Sequence, residues 1–203
     1  MALQHNGNTQ GIYTIKPNSE LQSFNVMCRK DGVNYITEVS HDFEVARRVQ
    51  GYEACPGWYE YIVYNSASES GKKINIDALT SMVDQIEHCS QYAKVECRDS
   101  QAYTSGNTGQ HNCMRAYDRN NNTIPYWAGG NTNKYCACGV TGTCYSSSQA
   151  CNCDSTTPSL ILQDEGSYTE KNLLPLQALI AGDTGSSNEY MKLKAGKLIC
   201  WDT

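Results

Sequence analysis

The sequence predicts an α+β fold with a central antiparallel sheet, on three observations. Short aromatic and β-branched runs are set off by turns, a single stretch has helical periodicity, and seven of the eleven cysteines lie beyond residue 110 in a loop-rich second half. Leu, Ile, Val and Phe number 33 of 203 residues, about 16%, under the roughly 20% below which a highly charged chain is disordered. The net charge is only −5, and 14 tyrosines and 11 cysteines supplement the aliphatic residues. A folded chain with a thin core and covalent cross-links is the consistent reading. A helical bundle or a doubly wound α/β enzyme needs more aliphatic residues than this.

Residues 11–28, GIYTIKPNSELQSFNVMC, read as a strand, a turn at Pro17-Asn18-Ser19 and a second strand, because Ile12, Thr14, Phe24 and Val26 alternate. Residues 33–39 (VNYITEV) and 58–64 (WYEYIVY) are two further strands by their aromatic and β-branched content, with a turn at Cys55-Pro56-Gly57 between them. Residues 75–95 carry the helical pattern: Ile76, Leu79, Val83, Ile86 and Ala93 fall close to i, i+3, i+4, i+7. Asn75 or Asp77 can cap its start, and Asp84, Glu87, Gln91 and Lys94 lie off the stripe, as expected of one helix packed on a sheet.

From 98 to 159 Gly, Asn, Ser, Thr and Cys prevail, and no regular element can be placed. Residues 160–162 and 173–181 regain apolar character, and 190–201 (YMKLKAGKLICW) alternates like an edge strand ending on Cys200. There is no internal repeat and no linker. Residues 11–203 are expected to form one domain, with 1–10 a disordered or artificially added N-terminus to a piece of a longer protein.

Eleven cysteines are more than a reducing cytosol usually tolerates unless metals hold the thiols. Cys136, Cys138, Cys144, Cys151 and Cys153 are spaced C-x-C-x5-C-x6-C-x-C, with no histidine among them. Structural zinc sites present C-x2–4-C pairs in two halves, so disulfides, no metal and an extracellular setting are expected. No segment approaches the ~20 apolar residues of a membrane span. The pI of about 5.3 argues against nucleic acid as a partner.

No catalytic residue is expected. Cys89 follows His88 on the predicted helix, where adjacent side chains diverge by about 100°, and Ser40-His41-Asp42 is a sequence neighbourhood rather than a geometry. No G-x-S-x-G, H-E-x-x-H or phosphate-cradling loop is present. Asp118, Asn120 and Asn122 place oxygen donors at alternate positions, as calcium loops do, but without the closing bidentate Glu or the turn glycine. An Asn-rich turn accounts for them as well. No cofactor is expected, calcium being the disfavoured alternative. Asn121-Asn122-Thr123 is the only N-x-[ST] sequon and marks Asn121 for glycosylation on an exposed loop. Tyr126, Trp127 and Gly129 lie in Tyr-Trp-Ala-Gly-Gly, where aromatic faces beside glycines can take a ligand. Trp127 reads equally as a core anchor in a region short of hydrophobes.

The opening G-I-Y-T-I-K-P strand and the second strand ending on Cys28 resemble the start of a fibrinogen-like domain. VSHDFEVARRVQGY, HCSQYAKVEC, YWAGGNTNKYCACG and CYSSSQACNCD resemble the divergent form of that domain in contactin-associated proteins and neurexin IV, a resemblance covering residues 11–201. LLPLQALIAGDTGSSNEYMKLKAGKLIC matches the end of the same domain and is similar to the end of fibrillar-collagen C-propeptides. The acidic D-x-D calcium loop of fibrinogen and ficolins is absent.

The resemblance implies a fibrinogen-like α+β domain with a loop-rich, disulfide-stapled C-terminal part. Its implied function is extracellular recognition or adhesion, with a protein or glycan ligand bound by that part. A ficolin-like lectin is one alternative, and a collagen-like assembly module, which would self-associate into an oligomer, is another. Nine cysteines fit the family pattern, while Cys55 and Cys113 are additions. The family's counterpart of Cys28 pairs with a cysteine upstream of the domain, which implies an unpaired Cys28. Internal bridges then fall among Cys89, Cys97, Cys136, Cys138, Cys144, Cys151, Cys153 and Cys200, with Cys55–Cys113 as an added pair. A Cys28–Cys55 bridge leaving Cys113 free is the rival.

Overall fold

Alternation of apolar and polar residues builds most of this chain into sheet. The computed structural model describes residues 10–55, 57–69, 71–103, 113–155 and 160–202. Its strands are β1 (Gln10–Ile15), β2 (Phe24–Asp31), β3 (Asn34–His41), β4 (Arg47–Val49), β5 (Trp58–Tyr61), β6 (Tyr64–Asn65), β7 (His88–Arg98), β8 (Arg115–Tyr117), β9 (Thr123–Ile124), β10 (Leu162–Tyr168), β11 (Ala178–Ala181) and β12 (Tyr190–Asp202). Helix α1 (Ile76–Gln85) lies between β6 and β7, and the single turn α2 (Ala137–Thr141) between β9 and β10. The expected sheet-dominated, disulfide-stapled α+β fold is what forms. Of the N-terminus set apart in the sequence, residues 1–9 lie outside the described residues, while Gln10 already pairs with Arg29.

The main sheet runs β1-β2-β3-β12-β7-β10, with β4 added on β12 and β6 on β3. A second sheet runs β5-β11-β8-β9. Strand β12 is thus central, which corrects the edge-strand reading of 190–201: it pairs with β3, β4 and β7. Its buried residues switch parity, from Met191, Leu193 and Ala195 to Leu198 and Cys200. The switch is absorbed by a register shift between Ala195 and Leu198, where Gly196 and Lys197 together face Tyr92 of β7.

The helix expected over 75–95 ends at Gln85. Ala78, Leu79, Met82 and Val83 form its buried stripe, and the Asn75 side chain accepts the Asp77 N–H at 2.6 Å as an N-cap. The Lys171 ammonium, from a different segment, donates to the carbonyls of Asp84 (3.2 Å) and Ile86 (2.6 Å) at the helix end. Beyond it Cys89, Gln91, Ala93, Val95 and Cys97 are buried at every second residue, a period of two that makes 88–98 a strand. The run 58–64 also divides. Its first half pairs with β11 in the second sheet and Tyr64 pairs with His41 in the first, so the chain crosses between sheets at Ile62–Val63.

Gln91 knits the two layers. Its Oε1 accepts from Tyr64 Oη (2.9 Å) and the Leu176 N–H (3.0 Å), and its Nε2 donates to the Gly196 carbonyl (3.2 Å). The same carbonyl accepts from His41 Nε2 at 2.7 Å, while His41 Nδ1 accepts the Phe43 N–H at 2.9 Å. Burial holds the His41 ring below the usual imidazole range, consistent with a neutral tautomer fixed by these two bonds.

Five disulfides are present: Cys55–Cys113, Cys89–Cys200, Cys97–Cys153, Cys136–Cys151 and Cys138–Cys144. Cys28 is unpaired and buried in β2 against Thr37, and burial pushes its thiol pKa up. Two expectations follow from this packing. Gln91→Leu strands the buried Leu176 N–H and should cost about 1–3 kcal/mol in urea unfolding, whereas an unchanged midpoint would show that the bridge contributes nothing. Thiol titration should find no reactive cysteine in the native protein and one after denaturation without reductant; a second thiol would contradict the pairing.

Candidate functional site

The region expected to bind a ligand sets two buried carboxylates among core side chains that include Trp127, Cys136, Cys151 and Cys153. Asp164, on β10, accepts the Asn152 N–H at 3.0 Å and the Cys153 N–H at 2.8 Å through its two carboxylate oxygens. Its backbone carbonyl accepts the Trp127 indole N–H at 3.2 Å. Asp154 accepts the Tyr103 N–H at 2.5 Å, and its carbonyl takes the Gln149 side-chain amide. Two disulfides, Cys136–Cys151 and Cys97–Cys153, run into the same place, the second from β7. Irregular backbone is therefore held by cross-links and by carboxylates that accept its N–H groups.

Burial pushes the Asp154 carboxyl up from 3.8 to about 7, with the nearby Asp164 charge adding to the shift and the Tyr103 N–H opposing it. Burial also raises Asp164 against its two backbone N–H bonds. Sulfurs of Cys136 and Cys151 lie with an Asp164 oxygen inside a 4.8 Å cluster. Both sulfurs belong to one disulfide, and thiolate rather than disulfide sulfur is the metal ligand.

The structure places the sequence-derived candidates in separate settings. Trp127 is fully buried, so its rings present no face to a ligand, and it takes the core-anchor role of the two left open for it. Gly129 has φ +76°, and a Cβ there would lie 2.9 Å from the Ala137 Cβ, which explains the glycine. Tyr126 is half-buried, with its hydroxyl donating to Glu170 at 3.1 Å and its pKa pushed up to about 12 by burial and that carboxylate.

Asp118 spends its carboxylate on its own turn. Oδ1 accepts the N–H groups of Asn120 (2.9 Å) and Asn122 (2.8 Å), and Oδ2 accepts the Asn122 side-chain amide (3.3 Å). The Asn-rich turn thus accounts for Asp118 and Asn120 through hydrogen bonds of the chain itself. These two and Trp127 share no hydrogen-bond partner among the described residues.

Sequence reasoning passed over a tyrosine face on the second sheet. Tyr59 and Tyr61 alternate outward on β5, and Tyr117 stands across from Tyr61 with Ala178 of β11 between them. Tyr59 meets Tyr61 and Tyr117 edge-on, at centroid distances of 4.8 and 5.3 Å. Beneath them Ala178 and Ile180 are buried, while Tyr61 remains 55% exposed. The signal was available in Trp-Tyr-Glu-Tyr, whose period of two sends Trp58 inward and both tyrosines outward.

Fold and site define a disulfide-stapled, antiparallel α+β module whose irregular part is covalently held. No helix among the described residues is long and apolar enough to cross a membrane. No protein-family profile matches the chain. It is similar to neurexin-4 of Drosophila melanogaster, with 31% identity over 173 residues, 82% of this chain and 12% of that protein. It is also similar to contactin-associated protein 1 of mouse and of human, with 27% identity over 203 residues in each case, 98% of this chain and 14% of theirs. The chain thus spans 12–14% of the length of the curated relatives it matches.

The Asp154 carboxyl makes a signed prediction. A group whose pKa rises on folding holds its proton longer in the native state, so its contribution is full below the unfolded value and is lost as pH rises to the folded one. Wild-type stability relative to Asp154→Asn should therefore fall between pH 4 and about 7. Parallel urea midpoints for the two proteins across that window would refute the assignment.

Proposed function

We propose that this chain is an extracellular recognition module that binds a protein partner through its disulfide-stapled, loop-rich C-terminal part. The observation that carries the reading is similarity over 98% of the chain to contactin-associated protein 1, together with the five disulfides expected of an oxidising compartment. The fibrinogen-like resemblance of residues 11–203, and a domain of that type, belong to the same proposal. So does the absence of a catalytic role.

A protein ligand is favoured over a free sugar because Trp127 has no exposed face and the Asp118 carboxylate is already engaged. The stapled region instead exposes Tyr135, Val140 and Tyr145. Exposed aromatic and apolar side chains on covalently fixed loops are suited to act as anchors, because little ordering entropy remains to be lost on binding.

The relative's name records an association with contactin, which makes contactin the first partner to test. Purified contactin should bind the immobilised chain, and a Val140→Ser/Tyr145→Ala double variant should weaken binding roughly tenfold or more while melting like wild type. Equal affinity of the variant would remove the proposed surface. Binding to a glycan array in place of contactin would favour the lectin alternative.

A further inference from the structure

The sequon and the tyrosine face are adjacent. Asn121 sits at the exposed tip of the β8–β9 hairpin with φ +62°, a left-handed conformation that asparagine tolerates. The turn beneath it is fixed, since the Asn121 N–H donates to the Asp118 carbonyl and the Asp118 N–H to the Asn122 carbonyl, both at 2.9 Å. The Asn121 side chain lies toward Tyr59, whose hydroxyl donates to Oδ1 at 3.1 Å. That bond engages the amide oxygen and leaves the nitrogen Nδ2, the atom that an N-linked sugar occupies, without a hydrogen-bond partner among the described residues.

We propose that Asn121 carries an N-linked glycan whose first N-acetylglucosamine packs on the face formed by Tyr59, Tyr61 and Tyr117. In the transfer, Nδ2 displaces a polyprenyl diphosphate from the anomeric carbon of a lipid-linked oligosaccharide. One C–N bond forms, one C–O bond breaks, and the amide releases one proton. Transfer acts on the chain before it folds; the folded hairpin decides where the sugar then lies.

Tyr59 Oη holds the amide plane at the rim of the tyrosine face, so the first sugar ring emerges beside it. The apolar C–H surface of the ring and its acetyl methyl group find the exposed rings there, much as aromatic side chains take up apolar groups elsewhere. The tyrosines are fixed from below by the ladder over Ala178 and Ile180 and from the side by each other. The glycan is thus a covering for the outer face of the second sheet.

The test uses the whole chain secreted from a glycosylating cell line. Peptide mapping should show glycan on Asn121 that is lost in Asn121→Gln. Amidase release of the glycan from the native protein should be roughly tenfold faster in Tyr59→Ala than in wild type, the size of effect that one aromatic contact can produce. Tyr59→Phe, which keeps the ring and loses the hydroxyl, should fall between them, and it serves alone if the alanine variant does not fold. An unmodified Asn121 in secreted wild type would overturn the proposal. So would equal release rates in wild type and the Tyr59 variants, which would leave a glycan that does not pack.

Discussion

The ladder between β7 and β12 runs from Tyr190–Arg98 to Trp201–His88, and the other elements find their places against it. Strands β3 and β4 pair with the far edge of β12, and β10 pairs with the far edge of β7. Cys89 and Cys200 face each other across the ladder and are bonded. Residues 111 apart in sequence are thereby joined in the middle of the sheet, the kind of long-range contact whose loop entropy is hardest to recover. The segment leading into β11 of the second sheet is attached through Gln91 of the same strand β7, whose Oε1 accepts the Leu176 N–H. Sheet order, layer contact and the longest covalent loop all converge on one strand pair.

Away from that ladder the chain relies on different physics. Residues 136–154 have few aliphatic side chains, and their shape comes from Cys136–Cys151 and Cys138–Cys144 together with the N–H groups gathered by Asp164. Burying a carboxylate is costly unless its oxygens are hydrogen-bonded, and here the donors are backbone groups that would otherwise be orphaned in irregular chain. Trp127 joins this arrangement by donating to the Asp164 carbonyl. The single tryptophan of the region thus fills space and is fixed in orientation at once.

Much of the architecture was legible. The first three strands, a helix start capped at Asn75 or Asp77 and the disulfide-stapled character follow from alternation, side-chain chemistry and cysteine density, and the structure puts the cap at Asn75. The helix is expected too long because Ala93 satisfies a helical stripe and a two-residue period alike, and the polar Gln91 interrupts the apolar alternation of Cys89, Ala93, Val95 and Cys97 that marks the strand. A polar residue in a core position is invisible to hydrophobic patterning. The same limit hid the site's construction, since nothing in the spacing of Asp154 and Asp164 announces that both are buried acceptors. The tyrosine face was hidden differently: Tyr59 and Tyr61 gain their meaning only when β8 brings Tyr117 and Asn121 alongside.

The extra residue in β12 bears on how this chain could change in length. Two residues, Gly196 and Lys197, face the one residue Tyr92. Deleting either would leave a regular strand on which Leu198 and Cys200 still point to the same side as Ala195, so apolar patterning alone would score the shorter chain as sound. The carbonyl of Gly196, however, is what receives His41 and Gln91. A lineage that lost one residue here would keep its hydrophobic face and its disulfide but re-aim the carbonyl to which His41 and Gln91 donate, and would need another acceptor in its place. Indel tolerance at this point of the sheet is decided by hydrogen-bond acceptors.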